Sequence, residues 1–89
     1  MRLDKYLKVA RVIRRRSVAK ELGDQGRVTI NDRVAKSGTR VSVGDQIMIQ
    51  FGNRRLTIEV VDVRDTTKKH EAEGMYRVVS EERVAPETP

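Results

Sequence analysis

The chain reads as an α+β fold: two short N-terminal helices packed on a small, mainly antiparallel sheet of four or five strands, with a short extra helix near the C-terminus. Three observations point there. Apolar residues near the N-terminus recur with helical spacing. From Arg27 onward the spacing changes to two. Glycine and Asx turn signals then cut the rest of the chain into short segments.

The elements follow in order. Leu3, Tyr6, Leu7 and Ala10 fall at i, i+3, i+4 and i+7, the stripe of an amphipathic helix. Asp4 lies in its first turn, where a negative charge favours the positive end of the helix dipole. The period fades over Val12 to Arg16, which reads as a turn. Ser17 reads as the N-cap of a second helix, although Lys20 stands where a capping box would place Glu or Gln. Val18, Ala19 and Leu22 give that helix one apolar face. Gly23 weakens it by about 1 kcal/mol relative to Ala, and Gly26 ends it. Val28 and Ile30 then alternate with Thr29, and Asn31-Asp32 reads as a turn. Val41 and Val43 form a further short alternation, closed by Gly44-Asp45. Ile47, Ile49 and Phe51 alternate with Met48 and Gln50, a phase that puts Phe51 in the core. After Gly52-Asn53, a strand over Leu56, Ile58 and Val60 extends as far as Val63. Asp65 is placed to cap a short helix over residues 66–73, stopped by Gly74. Met75 to Val79 add a last strand, and residues 80–89, with both prolines, read as a flexible acidic tail.

With 89 residues the chain is one domain, taken here as residues 1–79. At 37% apolar and 36% charged residues, the core is thin and aliphatic. There is no Cys, which excludes disulfides, thiolate metal sites and thiol nucleophiles and fits a reducing compartment. No apolar run approaches the roughly 20 residues of a membrane span, and none resembles a signal peptide. The expectation is a soluble, cytoplasmic protein.

Charge is the most uneven property of the chain. Arg2, Lys5, Lys8, Arg11, Arg14, Arg15, Arg16 and Lys20 face a single acid, Asp4, within the first twenty residues. The remainder is close to neutral, so the net charge of +6 is a local patch. Such a patch is the footprint of polyanion binding. The two cationic groups, Arg2-Lys5-Lys8 and Arg14-Arg15-Arg16, sit at opposite ends of a helix–turn–helix that brings them together when it folds back. Arg suits phosphate because its planar fork grips two oxygens.

Catalysis finds little support. His70 is the only histidine and sits in a charged stretch with no second ligand for a metal. No phosphate loop is present, and no cofactor is expected. Membrane binding by the basic helix needs bulky apolar residues free to enter lipid, and Leu3, Tyr6 and Leu7 are needed to cover the sheet. Duplex DNA is disfavoured because the second helix offers Glu21 and Asp24. With only Tyr6, Phe51 and Tyr76 aromatic, recognition is expected to rest on RNA shape and phosphate, without base stacking.

The segments RLDKYL, Ser17 with Ala19 and Leu22, GRVTIND and VSVGDQIMI, over residues 2–51, resemble the RNA-binding module named after bacterial small-subunit ribosomal protein S-four. Asp32 stands where that family usually has Gly, and Gly23 where a bulky apolar residue is common. Free-standing modules of this length resemble the ribosome-associated heat-shock protein of Gram-negative bacteria and its shorter relatives of the RqcP type. The DTTKKHEAEGMY segment is similar to the latter. That resemblance implies a non-enzymatic rRNA- and tRNA-binding factor of ribosome-associated quality control. Its partners are the rRNA of an obstructed large subunit, the P-site tRNA and an RqcH-type tailing factor, with the protein acting as a monomer. The alternative is a general structured-RNA-binding or ribosome-assembly protein. By the motif, Arg2 and Arg16 are the leading rRNA contacts. Lys5, Lys8, Arg14 and Arg15 contact phosphate, and Arg11 and Lys20 complete the cationic set. Asp4 either orients a neighbouring Arg or pairs with Lys8 at i,i+4 for a few tenths of a kcal/mol. Lys68 and Lys69 are the implied tRNA contacts.

Overall fold

The structure, a computed structural model, describes residues 1–65, 68 and 72–83. Among the described residues two helices, α1 (Leu3–Val9) and α2 (Arg16–Asp24), precede five strands: β1 (Val28–Ile30), β2 (Arg33–Val34), β3 (Gln46–Phe51), β4 (Arg54–Val60) and β5 (Tyr76–Arg83). A 3-10 turn, Glu73–Met75, leads into β5. The sheet runs β2-β1-β3-β4-β5, antiparallel throughout.

Strand register places the core. Val28 pairs with Ile49, Ile30 with Ile47, and Ile47 with Ile58, so one face of the sheet is a continuous aliphatic surface. Leu3, Tyr6, Leu7 and Ala10 of α1 cover it, joined by Ala19, Val41 and Met75. A seven-residue helix is too short to persist alone. Burial of its apolar stripe, at about 1.5–3 kcal/mol per large side chain, is what holds it. The Tyr6 hydroxyl, fully buried, donates to the Met75 carbonyl at 2.7 Å and ties α1 to the start of β5. Burial pushes its pKa well above the ordinary tyrosine value.

Both helices end in the same way. In α2, the Arg27 N–H returns to the Leu22 carbonyl and the Gly26 N–H to Gly23, with Gly26 at φ +75°. In α1, Val12 returns to Leu7 and Arg11 to Lys8, with Arg11 at φ +61°. These are Schellman endings, which favour Gly at the left-handed position. α2 has the glycine and α1 has an arginine.

Several expectations need correction. Ser17 is not the cap of α2. Arg15 holds the extended N-cap position, and the Val18 and Ala19 N–H groups bond its carbonyl. Val18 is not on the buried face of α2 but is 39% exposed. Val41 and Val43 form no strand. The Ser42 N–H bonds the Asp45 carboxylate at 2.8 Å, Asp45 N–H returns to Ser42, and Gly44 sits at φ +93°, so turn chemistry overrides the alternation. Val41 is buried with its N–H on the Met1 carbonyl, while Val43 is exposed. β4 stops at Val60, because the Val61 and Asp62 N–H groups turn to the Met75 carbonyl. Gly74 lies inside the 3-10 turn, just after the helical Ala72, whose N–H bonds the Lys68 carbonyl at 3.0 Å. The rest of the expected 66–73 helix lies largely outside the described residues. Ser80 to Arg83 belong to β5, paired with Arg54 to Thr57, where a frayed tail was expected; residues 84–89 lie outside the described residues. Phe51 is half-buried at the margin of the core, with the Arg54 guanidinium 5.8 Å from its ring centre.

Asn31-Asp32 is a two-residue hairpin turn with both residues at positive φ (51° and 68°), the primed geometry that matches strand twist. Asp32 tolerates the left-handed conformation that Gly adopts more freely.

Candidate nucleic-acid interface

The first two N–H groups of α1 are satisfied by a distant loop, and its N-cap residue, Arg2, makes no side-chain cap. Leu3 N–H donates to the Thr39 carbonyl at 2.8 Å and Asp4 N–H to Ser37 at 3.1 Å. Gly23 makes this possible: a Cβ there would stand 2.9 Å from the Ser37 nitrogen. The loop therefore rests directly on α2, and Ser37 Oγ donates to Asp24 Oδ1 at 3.0 Å. Arg2 and Arg40 meet in an isolated antiparallel bridge across this junction.

Asp4 sits at the centre. Its carboxylate is buried, with 4% of the side chain exposed. Oδ1 accepts from Arg2 Nε at 3.2 Å and from the Lys5 backbone N–H at 2.8 Å. Oδ2 lies 3.4 Å from Arg16 Nε. Burial alone would push this carboxyl up. The bonds from Arg2, Lys5 N–H and Arg16 outweigh it and hold the group below its ordinary value. Asp4 thus orients two arginines and is not paired with Lys8. Arg2 and Arg16 each spend one edge of the guanidinium on Asp4 and keep about half of the side chain exposed, 54% and 47%. The free edges can grip phosphate oxygens.

The structure brings most of the expected cations to this helical side. Arg16 and Lys20 are one turn apart on α2, and both are exposed. Lys8, Arg11, Ile13 and Arg14 line a hollow of about 400 Å³ at the α1–α2 turn. Arg11 reaches it from a left-handed backbone position that costs a non-glycine residue about 1 kcal/mol. Such outliers concentrate where a side chain must be aimed. Lys5 is less available: it is half-buried and its ammonium is 3.2 Å from Asp65 Oδ1. Lys68 is exposed and belongs to a segment far along the chain from these helices, and Lys69 is outside the described residues.

Four arginines elsewhere are matched by acids. Arg54 lies 3.4 Å from Glu81, Arg55 3.9 Å from Glu82 and Arg64 2.6 Å from Asp62, and Arg77 pairs with Glu59. Among the described residues no acid is paired with Lys8, Arg11, Arg14, Arg15 or Lys20. Arg27, Arg33, Lys36 and Arg83 also have no acid partner among the described residues, so the helical side holds the largest group of open cations but not all of them.

Arg40 is a member of this face that the sequence did not suggest. Together with Met1, Arg2 and Gly38 it lines a further hollow of about 270 Å³. Its place depends on a bridge between residues 2 and 40, for which no local pattern exists. The left-handed Arg11 was signalled only by the loss of helical period at Val12.

A family model for the S4 domain matches residues 1–47. A Streptococcus pneumoniae protein named RQC P-site tRNA stabilizing factor is 55% identical over 84 residues, covering 94% of this chain and 96% of that protein. A Bacillus subtilis protein of the same name is 49% identical, covering 94% and 98%. The chain belongs to this family. A solved structure described as trimeric Vibrio cholerae Heat Shock Protein 15 is similar in fold, with a TM-score of 0.82 at 33% identity, covering 90% of this chain and 82% of that one.

The S4-domain match contains α1, α2, β1, β2 and the loop that caps α1. Arg2, Asp4, Arg11, Arg16 and Arg40 all lie within it, so the family's module and the open cationic face coincide. Among the described residues no group of His, Cys, Asp and Glu has the makings of a metal site, and no helix is long and apolar enough to cross a membrane.

Proposed function

We propose that this chain is a non-enzymatic factor that binds obstructed large ribosomal subunits and stabilises the P-site peptidyl-tRNA during C-terminal alanine tailing. The Arg2–Asp4–Arg16 cluster carries this reading. One buried carboxylate fixes two half-exposed guanidinium groups, and the unpaired cations beside them extend the surface. A pre-oriented pair of forks suits the regularly spaced phosphates of folded rRNA. Relatives of about 50% identity, over nearly the whole chain, are named for the P-site tRNA. In this reading Arg2, Arg16, Lys8, Arg11, Arg14, Arg15, Lys20 and, more weakly, Lys5 contact rRNA phosphate. Lys68 and Lys69 reach the tRNA. The protein works in the cytoplasm, as one copy on the subunit beside an RqcH-type tailing factor.

Sedimentation tests it. The protein is expected to travel with large subunits that hold P-site peptidyl-tRNA and to leave them as salt rises. A protein that stays at the top of the gradient at low salt contradicts the proposal. Crosslinks confined to rRNA, with none to tRNA, would favour an assembly role over quality control.

A further inference from the structure

A second hollow, of about 500 Å³, adjoins the cationic one at the α1–α2 turn. The two share Ile13 and Arg14. The first is walled by Lys8, Arg11 and Arg14. The second is floored by Val12, Val18 and Phe51 and rimmed by Arg14 and Arg15. Its volume is that of a small-ligand site. Val18 projects from α2 with 39% of its surface exposed, and Phe51 is only half-buried, so apolar surface is left open beside unpaired arginines. The Arg54 guanidinium, 5.8 Å from the Phe51 ring centre, is paired with Glu81 and does not line the groove.

We infer that this turn holds one unpaired nucleotide of the bound RNA, with its phosphate on Lys8, Arg11 and Arg14 and its base against Val18 and Phe51. The inference rests on the RNA-binding reading above and gives it a specificity element. A nucleotide matches both halves of the site, an anion tethered to a flat apolar ring. A base inside a duplex cannot reach the groove, because A-form stacking keeps it from side chains, whereas a bulged or loop base can splay out and stack on an aromatic or an arginine plane. An apolar protein segment would fill the floor but would leave Arg14 and Arg15 unmatched. On this inference a single base contact adds to the phosphate and shape readout expected from the sequence.

The test uses two RNA hairpins that differ by a single bulged adenosine in the stem. Wild-type protein is expected to prefer the bulged hairpin by about tenfold, the scale of one base stacked on a side chain. Phe51→Leu and Val18→Glu are each expected to erase that preference while still binding the fully paired hairpin. Phe51 borders the core, so Val18→Glu, on an exposed helical position, keeps the test valid if Phe51→Leu unfolds. Arg16→Gln is expected to weaken both hairpins equally. A wild-type protein without preference, or a preference that survives Val18→Glu, overturns the inference. If Val18→Glu spares RNA preference but weakens binding to the large subunit, the groove holds a protein segment and the inference is likewise overturned. Failure of wild-type protein to bind either hairpin or the large subunit would instead overturn the RNA-binding reading, and this inference with it.

Discussion

Asp4 holds the two leading arginines in place, and its removal separates charge from geometry. Asp4→Asn makes the chain more positive, which by charge alone strengthens RNA binding. It also frees Arg2 and Arg16 to move, so binding to the large subunit is expected to weaken, as measured by sedimentation at fixed salt. The same change is expected to cost about 1–3 kcal/mol of stability, the penalty for breaking charged hydrogen bonds at a buried acceptor. The pH dependence has a definite sign. The folded carboxyl titrates below its ordinary value of 3.8, so its contribution is fully present above that pH and is lost as pH falls through the folded value. In urea titrations the gap between wild type and Asp4→Asn should be constant near neutrality and close below that point. Gly23 illustrates the opposite lesson. Propensity alone says that Ala improves α2 by about 1 kcal/mol. The Ser37 backbone stands 2.9 Å from the Cβ position, so Gly23→Ala is expected to lower the melting temperature. A rise would show that the capping loop gives way. The sequence revealed which residues were charged and which glycine was odd; the contacts with residues 37 to 40 were out of its reach, because they join segments more than ten positions apart.

Among the elements, α1 depends most on its neighbours. Its first two N–H groups are satisfied by loop carbonyls and its middle is tied to Met75 through Tyr6. Tyr6→Phe leaves the Met75 carbonyl without that donor and is expected to cost about 1 kcal/mol. For a domain of this size that is a fall of roughly 4–8 °C in melting temperature. An unchanged melt would mean that water or the Val61 and Asp62 N–H groups suffice for that carbonyl. The elements with strong periodicity, α1, α2, β3 and β4, were legible because burial of one face fixes their period. Val41-Ser42-Val43 misled because two valines two apart also suit a turn whose Asp45 side chain claims the backbone. β5 ran longer than its apolar residues indicated. Its outer half is held by ladder bonds and by Glu81 and Glu82 facing Arg54 and Arg55, a cross-strand pattern invisible until the register is known.

Across the whole molecule the separation of charge outweighs the net value. Arg54, Arg55 and Arg77 of the sheet are paired with acids while the helical side leaves most of its cations open, so +6 describes neither side. The concentration of cations in the first twenty residues made the binding face legible from composition. Its centre was legible in part: the motif named Arg2 and Arg16 and offered Asp4 as the group that orients an arginine, but only the folded chain shows that Asp4 is buried and holds both. If that centre docks on rRNA, its contribution must appear as released counterions. The decisive measurement is the salt dependence of binding to large subunits that hold peptidyl-tRNA, for wild type, the Arg2→Gln/Arg16→Gln double variant and the Arg54→Gln/Arg77→Gln double variant. The slope of log K against log salt is expected to become shallower by about two in the first variant, roughly one for each phosphate left without its arginine, and to stay unchanged in the second. Equal slopes for wild type and the Arg2/Arg16 variant would contradict the central claim.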